Sequence, residues 1–190
     1  SLAVPDGSGP EFAAVVLGKK IYRYPGSDLI YDICALAERE NKSVYLIGAE
    51  GDVASRAAEN LKVKFQNLKI AGAENGLKAG EWLLKKGEWL KGEGNNNELL
   101  ERIKGAGAAV GFAAFGHPQQ EKWIFHNLKK MPSVKIAMGV GGSFDFIAGE
   151  AIRAPRFMRM LGLEWLWRFI LEPWRWKRIF NAVFVFSYKF

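Results

Sequence analysis

The chain has 190 residues, 49% apolar and 25% charged, proportions that exclude a disordered segment and fit one folded domain with a full hydrophobic core. Its formal charge of +7 is uneven: from Ala151 to Phe190 eight Lys and Arg stand against two acids, so a negatively charged partner is expected at the C-terminal end. The single cysteine, Cys34, excludes an internal disulfide and a cysteine-based metal cluster, and no apolar run reaches the 18 residues expected of a membrane-spanning helix.

In chain order, Asp28 to Glu40 places Leu29, Ile30, Ile33, Leu36 and Ala37 at helical spacing and predicts a helix, with Cys34 inside it as a small buried hydrophobe. Ser43 to Gly48 is a short apolar run ending in glycine, as a buried parallel strand does. Asp52 to Lys64 reads as helix and Asn67 to Ala71 as strand. Gly80 to Asn97 holds a near-duplication, Gly80-Glu81-Trp82-Leu83 and Gly87-Glu88-Trp89-Leu90, which reads as an exposed insertion because two copies make no repeat architecture. Asn97 to Lys104 is predicted as helix, Ala108 to Phe115 as buried strand, Pro118 to Lys130 as helix and Val134 to Val140 as buried strand. This alternation predicts an α/β fold, a Rossmann-like mostly parallel sheet with flanking helices, over residues 1–150.

After Gly149 the character changes. Arg156 to Leu171 reads as one helix, Pro173 breaks it, and Trp174 to Phe186 reads as a second. Trp165, Trp167, Arg168, Trp174, Arg175, Trp176, Lys177 and Arg178 interleave aromatic and basic side chains, the composition of a membrane-interface helix. Residues 151–190 are therefore expected to be a C-terminal helical membrane-docking appendage.

Ligands of open parallel sheets bind beyond the C-terminal ends of the strands, and two loops leave strands there. In Phe115-Gly116-His117-Pro118-Gln119-Gln120-Glu121, proline suits the first helical turn, and the N–H groups of Gln119, Gln120 and Glu121 would point outward to attract an anion such as a diphosphate. An ordinary strand-to-helix turn fits the same spacing. In Gly139-Val140-Gly141-Gly142-Ser143-Phe144-Asp145-Phe146, Gly141 and Gly142 allow close backbone approach to a ligand, and Asp145 either contacts it or turns the chain. This is not the dinucleotide fingerprint, whose third glycine would fall on Phe144, which argues against a nicotinamide-dependent oxidoreductase. Asp6, in Pro5-Asp6-Gly7, is either a general base for a sugar hydroxyl or part of a plain turn.

No Asp-x-Asp pair and no His/Cys ligand spacing is present, and His117 and His126 read as structural or solvated, so no metal is expected. No G-x-S-x-G supports a nucleophile triad, and no nucleic-acid motif accompanies the basic charge. Arg168, Arg175 and Arg178 are candidates for bidentate phosphate contact or for lipid headgroups, and Glu164 and Arg168 are spaced to pair on one helix.

Taken together, these stretches resemble the WecG/TagA/CpsF family, glycosyltransferase family twenty-six. The match runs through Pro5-Asp6-Gly7; Arg23 with Gly26-Ser27-Asp28-Leu29; Val44 to Gly48; Gly116 to Ile124; Gly139 to Gly149; Arg153-Ala154-Pro155; Glu164 to Arg168; and Glu172 to Arg178. The resemblance implies a metal-independent, inverting transferase that needs no cofactor, its UDP-sugar being a substrate. It would move N-acetylmannosamine, or a related sugar, from the UDP donor to N-acetylglucosamine on undecaprenyl diphosphate, in wall teichoic acid or surface-polysaccharide synthesis. The expected place is peripheral, on the cytoplasmic face of the bacterial cell membrane, with no nucleic-acid partner and the oligomeric state open. Asp6 matches the family's proposed base, Arg23 a site arginine, Gln120 the glutamine of a P-x-Q-E motif, and Arg168, Arg175 and Arg178 the appendage arginines. Gln119, Gly141, Gly142 and Asp145 lie in the matching loops on the donor side. Two departures are expected to matter: the family's first strand-helix-strand segment, upstream of Asp6, has no counterpart, and the stretch near Gly80 is longer than usual. The rival reading is a non-catalytic membrane-binding module.

Overall fold

The structure, a computed structural model, describes residues 4–6, 8–75 and 93–173. Composition divides the chain at 150/151; packing groups residues 30–151 into one compact unit and residues 1–29 with 152–190 into another.

The unit of residues 30–151 is built on four parallel strands, β1 (Ser43–Gly48), β2 (Lys69–Glu74), β3 (Val110–Ala114) and β4 (Ile136–Gly139), in the order β2-β1-β3-β4. β1 pairs with β2 from Ser43↔Lys69 to Ile47↔Glu74 and with β3 from Val44↔Val110 to Gly48↔Ala114. β3 in turn pairs with β4 from Val110↔Ile136 to Ala113↔Gly139. β1 and β3 are buried nearly throughout, whereas β2 and β4 are only half-buried, as befits central and outer strands.

Alternation along the strands sorts the core into two layers. Val44, Leu46, Val110 and Phe112 point to one face, where α2 (Gly26–Arg39) contributes Ile30, Cys34 and Ala37, α3 (Val53–Lys64) contributes Ala54, Ala57 and Leu61, and a short helix over Ser143–Ala148 contributes Phe144 and Ile147. Tyr45, Ile47 and Ala113 point to the other, against Leu99, Leu100 and Ile103 of α4 (Glu93–Gly105) and Trp123 of α5 (Gln119–Asn127). Each such buried Leu, Ile or Phe contributes about 1.5–3 kcal/mol. Cys34 is fully buried, and burial pushes its thiol up to about 12.

At the outer edge of this sheet, Arg102 of α4 grips Glu74 of β2 with Nε to Oε1 at 3.0 Å and Nη2 to Oε2 at 2.7 Å, while the Tyr45 hydroxyl donates to the same carboxylate. Burial pushes the Glu74 carboxyl up, but the hydrogen bonds from Arg102 and Tyr45 and the Arg102 charge outweigh it and hold it below the ordinary value.

Within this unit the helices and strands expected from the sequence are present with shifted limits. β2 runs on to Glu74 although Ala71-Gly72-Ala73-Glu74 has little strand propensity, because its backbone pairs with Leu46 and Ile47 of β1. α4 begins at Glu93, four residues before the expected start. Its Asn96 accepts from Trp123 Nε1 at 3.0 Å and donates to Asn127 Oδ1 at 3.1 Å, which fastens the Asn run to α5. The helix expected over Pro118 to Lys130 ends at Asn127 and tightens into a 3-10 turn over Leu128–Lys130.

In the unit of residues 1–29 and 152–190, α1 (Ser8–Val16) has no counterpart in the pattern-based reading. The single helix expected from Arg156 to Leu171 is instead two, Arg156–Met160 and Glu164–Leu171. Gly162 lies between them at φ 72°, a left-handed conformation that interrupts the helical path. Trp167 Nε1 donates to the Ile152 carbonyl at 3.1 Å and ties the second of these helices to the segment before the first. The expected helix from Trp174 and most of the Gly80 to Asn97 stretch lie outside the described residues. Among the described residues no helix is long and apolar enough to cross a membrane.

Candidate functional site

The winding direction of the sheet reverses between β1 and β3, the place where open parallel sheets leave a crevice at their C-terminal ends. The two strands close tightly there. Gly48 has φ 105°, and a Cβ on it would stand 2.7 Å from the Ala114 carbonyl carbon. The next residue, Ala49, is held at φ 62° with its N–H donating to the Ala114 oxygen at 3.0 Å. Only a glycine permits that approach.

β3 leads into the first expected loop. Gly116 takes φ 79°, the His117-Pro118 peptide is cis, and α5 starts at Gln119. The backbone N–H of Gln120 was expected to point outward unpaired; it donates instead to the Gly116 carbonyl at 3.0 Å, because the loop curls back under the first turn. The Gln119 amide lies over the same turn, its nitrogen facing the Gly116 and His117 carbonyls at 3.2 and 2.9 Å. His117 is exposed, with Nδ1 3.3 Å from Glu121 Oε2.

Gln120 joins this loop to the next one. Its side chain is 5% exposed; Oε1 accepts the Gly141 N–H at 2.9 Å, and Nε2 donates to Glu121 at 2.8 Å. Gly139, the last residue of β4, leaves the space: a Cβ there would meet Nε2, Cγ and Cδ of Gln120 at 2.6–2.8 Å. Beyond it, Gly141 takes φ 50°, Gly142 precedes the helix over Ser143–Ala148, and Asp145 stands half-buried in its first turn. The Asp145 carbonyl accepts from Glu150 and Ala151 at 2.8 and 3.1 Å and closes the chain around Gly149. Gln119, Gln120, Gly141, Gly142 and Asp145 thus occupy two adjoining strand-end loops of one unit.

Asp6, Arg23 and Arg168 belong to the other unit, whereas Arg175 and Arg178 lie outside the described residues. Tyr24 N–H donates to the Pro5 carbonyl at 2.9 Å, and the exposed Asp6 carboxylate accepts the Gly26 N–H at 2.7 Å, capping the first turn of α2. Arg23 donates through Nη2 to the Arg159 carbonyl. Arg153 Nη1 donates to Asp28 Oδ1 at 2.6 Å, and Arg159 Nη1 stands 3.9 Å from the same oxygen. The hydrogen bond from Arg153, aided by the charges of Arg153, Arg159 and Arg23, holds the Asp28 carboxyl below its ordinary value against the effect of burial. Arg168 is half-buried in the helix over Glu164–Leu171. Asp28 and Arg153 stand in stretches that carry the family resemblance but, like Arg159, received no role from sequence reasoning. Their charge was visible, but nothing local pairs residues 125 positions apart.

Among the described residues no group of three or more His, Cys, Asp or Glu is placed to hold a metal ion. A family model, that of the glycosyl transferase WecG/TagA/CpsF family, matches residues 1–190. The chain belongs to the WecG/TagA/CpsF glycosyltransferase family. Two curated relatives are both named N-acetylglucosaminyldiphosphoundecaprenol N-acetyl-beta-D-mannosaminyltransferase. The protein of Bacillus subtilis (strain 168) is 32% identical over 94% of this chain, which covers 64% of that relative. The protein of Bacillus spizizenii is 30% identical, with 94% of this chain and 63% of the relative covered. The chain therefore spans less than two thirds of the length of those two relatives.

Proposed function

We propose that the protein is an inverting glycosyltransferase that moves N-acetylmannosamine, or a related sugar, from a UDP donor to N-acetylglucosamine on undecaprenyl diphosphate. The names of the Bacillus relatives support the acceptor and the sugar. The observation that carries the chemistry is Asp6: an exposed carboxylate, fixed through one oxygen to the Gly26 N–H, with a second oxygen to offer a hydroxyl.

In the proposed reaction Asp6 takes the proton of an acceptor hydroxyl. The oxygen attacks the anomeric carbon from the face opposite UDP; the new C–O bond forms as the bond to the diphosphate breaks, and configuration inverts. Charge then grows on the departing UDP, where Arg23, Arg168, Arg175 and Arg178 are assigned to neutralise it in place of a metal. The loops of Gln119, Gln120, Gly141, Gly142 and Asp145 are assigned to the donor.

Work at the cytoplasmic face of the bacterial membrane is part of the same proposal. Phe157, Met160 and Ile170, on the helices that carry Arg156, Arg159 and Arg168, and Leu161 just after the first of these helices expose more than half of their surface, a mixture suited to a lipid interface.

The test is transfer from UDP-N-acetylmannosamine to a short-chain lipid-diphosphate N-acetylglucosamine acceptor. Asp6→Asn should lower turnover at least about 100-fold while UDP affinity holds. Near-normal turnover in that variant removes the base role. Liposome binding without any UDP affinity would favour the membrane-binding module instead.

A further inference from the structure

The C-terminal end of α1 presents apolar surface where a water-facing helix end would present polar side chains. Val15, Val16 and Leu17 expose 68%, 63% and 58% of their surface, although Ala13 and Ala14 just before them are buried. Large apolar residues exposed singly are ordinary, whereas three in succession form a patch. The tip is built to hold its shape. Gly18 takes φ 66° and its N–H donates to the Val15 carbonyl at 3.0 Å, while the N–H groups of Lys19 and Leu17 donate to the Ala14 and Ala13 carbonyls at 2.7 and 3.1 Å. This left-handed glycine closure takes up three carbonyls that a helix end leaves open. Lys19 and Lys20 follow, both exposed, and Lys20 Nζ stands 5.4 Å from the ring centre of Tyr22, which is itself exposed. Between Glu11 and Asp28 the sequence holds Lys19, Lys20 and Arg23 and no acid.

We infer that the tip of α1, Val15 to Lys20 with Tyr22, docks on an anionic lipid surface. The apolar side chains enter the interface, the two ammonium groups meet lipid phosphates beside them, and Tyr22 stands at headgroup level. Backbone that enters lipid must satisfy its polar groups from within, and the glycine closure does so at this end of the helix. Successive residues of a helical turn lie about 100° apart, so the three apolar side chains fan out around the tip. A fluid surface accepts such a fan, whereas a protein partner would need a socket shaped to it. The contact is separate from the helices over 156–171, and it needs no sugar transfer. Where the transferase reading holds, it also sets a height. α1 begins two residues after Asp6, and at about 1.5 Å per residue its nine residues carry that carboxylate on the order of 13 Å from the docked tip.

The experiment is co-sedimentation of the whole protein with vesicles of mixed phosphatidylglycerol and phosphatidylcholine, against phosphatidylcholine alone. Val16→Ser combined with Leu17→Ser should weaken binding to the mixed vesicles about tenfold or more. Lys19→Gln combined with Lys20→Gln should weaken it by about the same factor and leave binding to phosphatidylcholine unchanged. All four side chains are exposed, so melting temperatures should stay near that of the unmodified protein. Val16→Cys, labelled with an environment-sensitive dye in folded protein where Cys34 is buried, should shift its emission to the blue on mixed vesicles. A folded serine variant that binds mixed vesicles as well as the unmodified protein, or dye emission that vesicles leave unmoved, overturns the contact. Unmodified protein that binds no vesicles does the same. A serine variant whose only change is a smaller assembled mass shows that the tip meets a second copy, and overturns the lipid contact too. Loss with Phe157→Ser and Met160→Ser, but not with the serine tip variant, keeps the membrane placement of the helices over 156–171 and removes this one. Tip-dependent vesicle binding in a protein that transfers no sugar keeps the lipid contact and removes the transferase reading.

Discussion

Gly139→Ala tests the link between the two strand-end loops directly. Gly139 is not at positive φ, so the added methyl acts through space alone, and what it meets is the Gln120 side chain at 2.6–2.8 Å. Carbon contacts settle at roughly 3.5–4.0 Å, so Gln120 must retreat by about 1 Å. That retreat breaks its bond to the Gly141 N–H, now 2.9 Å long. Overpacking costs about 1–3 kcal/mol and the stranded N–H about 1 kcal/mol or more, so about 2–4 kcal/mol is expected. Urea unfolding of the four proteins of a double-mutant cycle with Gln120→Ala measures it. In the Gln120→Ala background the clash has no partner, and Gly139→Ala should cost less than about 0.5 kcal/mol, leaving a coupling of about 2 kcal/mol. Hydrogen exchange at the Gly141 amide should speed up in Gly139→Ala alone. Equal costs in both backgrounds, with Gly141 exchange unchanged, would refute the strut.

Gly48→Ala adds a side chain both at φ 105° and 2.7 Å from the Ala114 backbone, which unlike a side chain cannot swing away. It should cost more than about 3 kcal/mol, and a melting temperature within a degree of the parent would contradict the close approach of β1 and β3. Because Glu74 is held below its ordinary value in the folded state, its contribution to stability is complete above the unfolded value near 4.5 and is lost as pH falls through the lower folded value. Urea midpoints should therefore fall in acid below about pH 4.5, with a shallower fall in Glu74→Gln; an identical slope in the variant would count against the Arg102 and Tyr45 contacts. Cys34, buried and with its thiol pushed up to about 12, should resist iodoacetamide at pH 8 in folded protein and react once unfolded. Rapid labelling of native protein would show that α2 opens.

The sheet was legible because its central strands are apolar on both faces. Val44 to Ile47 and Val110 to Ala114 admit few other readings at their length. β2 was half-legible, since Ala71 to Glu74 is made a strand by its neighbour and not by its own residues. The break at Gly162 was there to be read as a glycine, but the apolar spacing across it kept helical period, and period won the reading. Gln120 was a candidate from its loop and from the resemblance, whereas its burial against Gly139 is a matter of facing elements 19 residues apart in sequence. The same limit hid the pairing of Asp28 with Arg153. Charge and composition place arginines near the C-terminus, and only the folded chain says which acid gathers them.

The order β2-β1-β3-β4 has a consequence for where this chain can change length. β1 and β3 are each paired on both sides, β1 with β2 and β3, and β3 with β1 and β4. A single residue added within either would turn every following side chain to the opposite layer of the core and shift its register against two neighbours at once. β2 and β4 each pair with one of these strands, so the same addition there would disturb a single register.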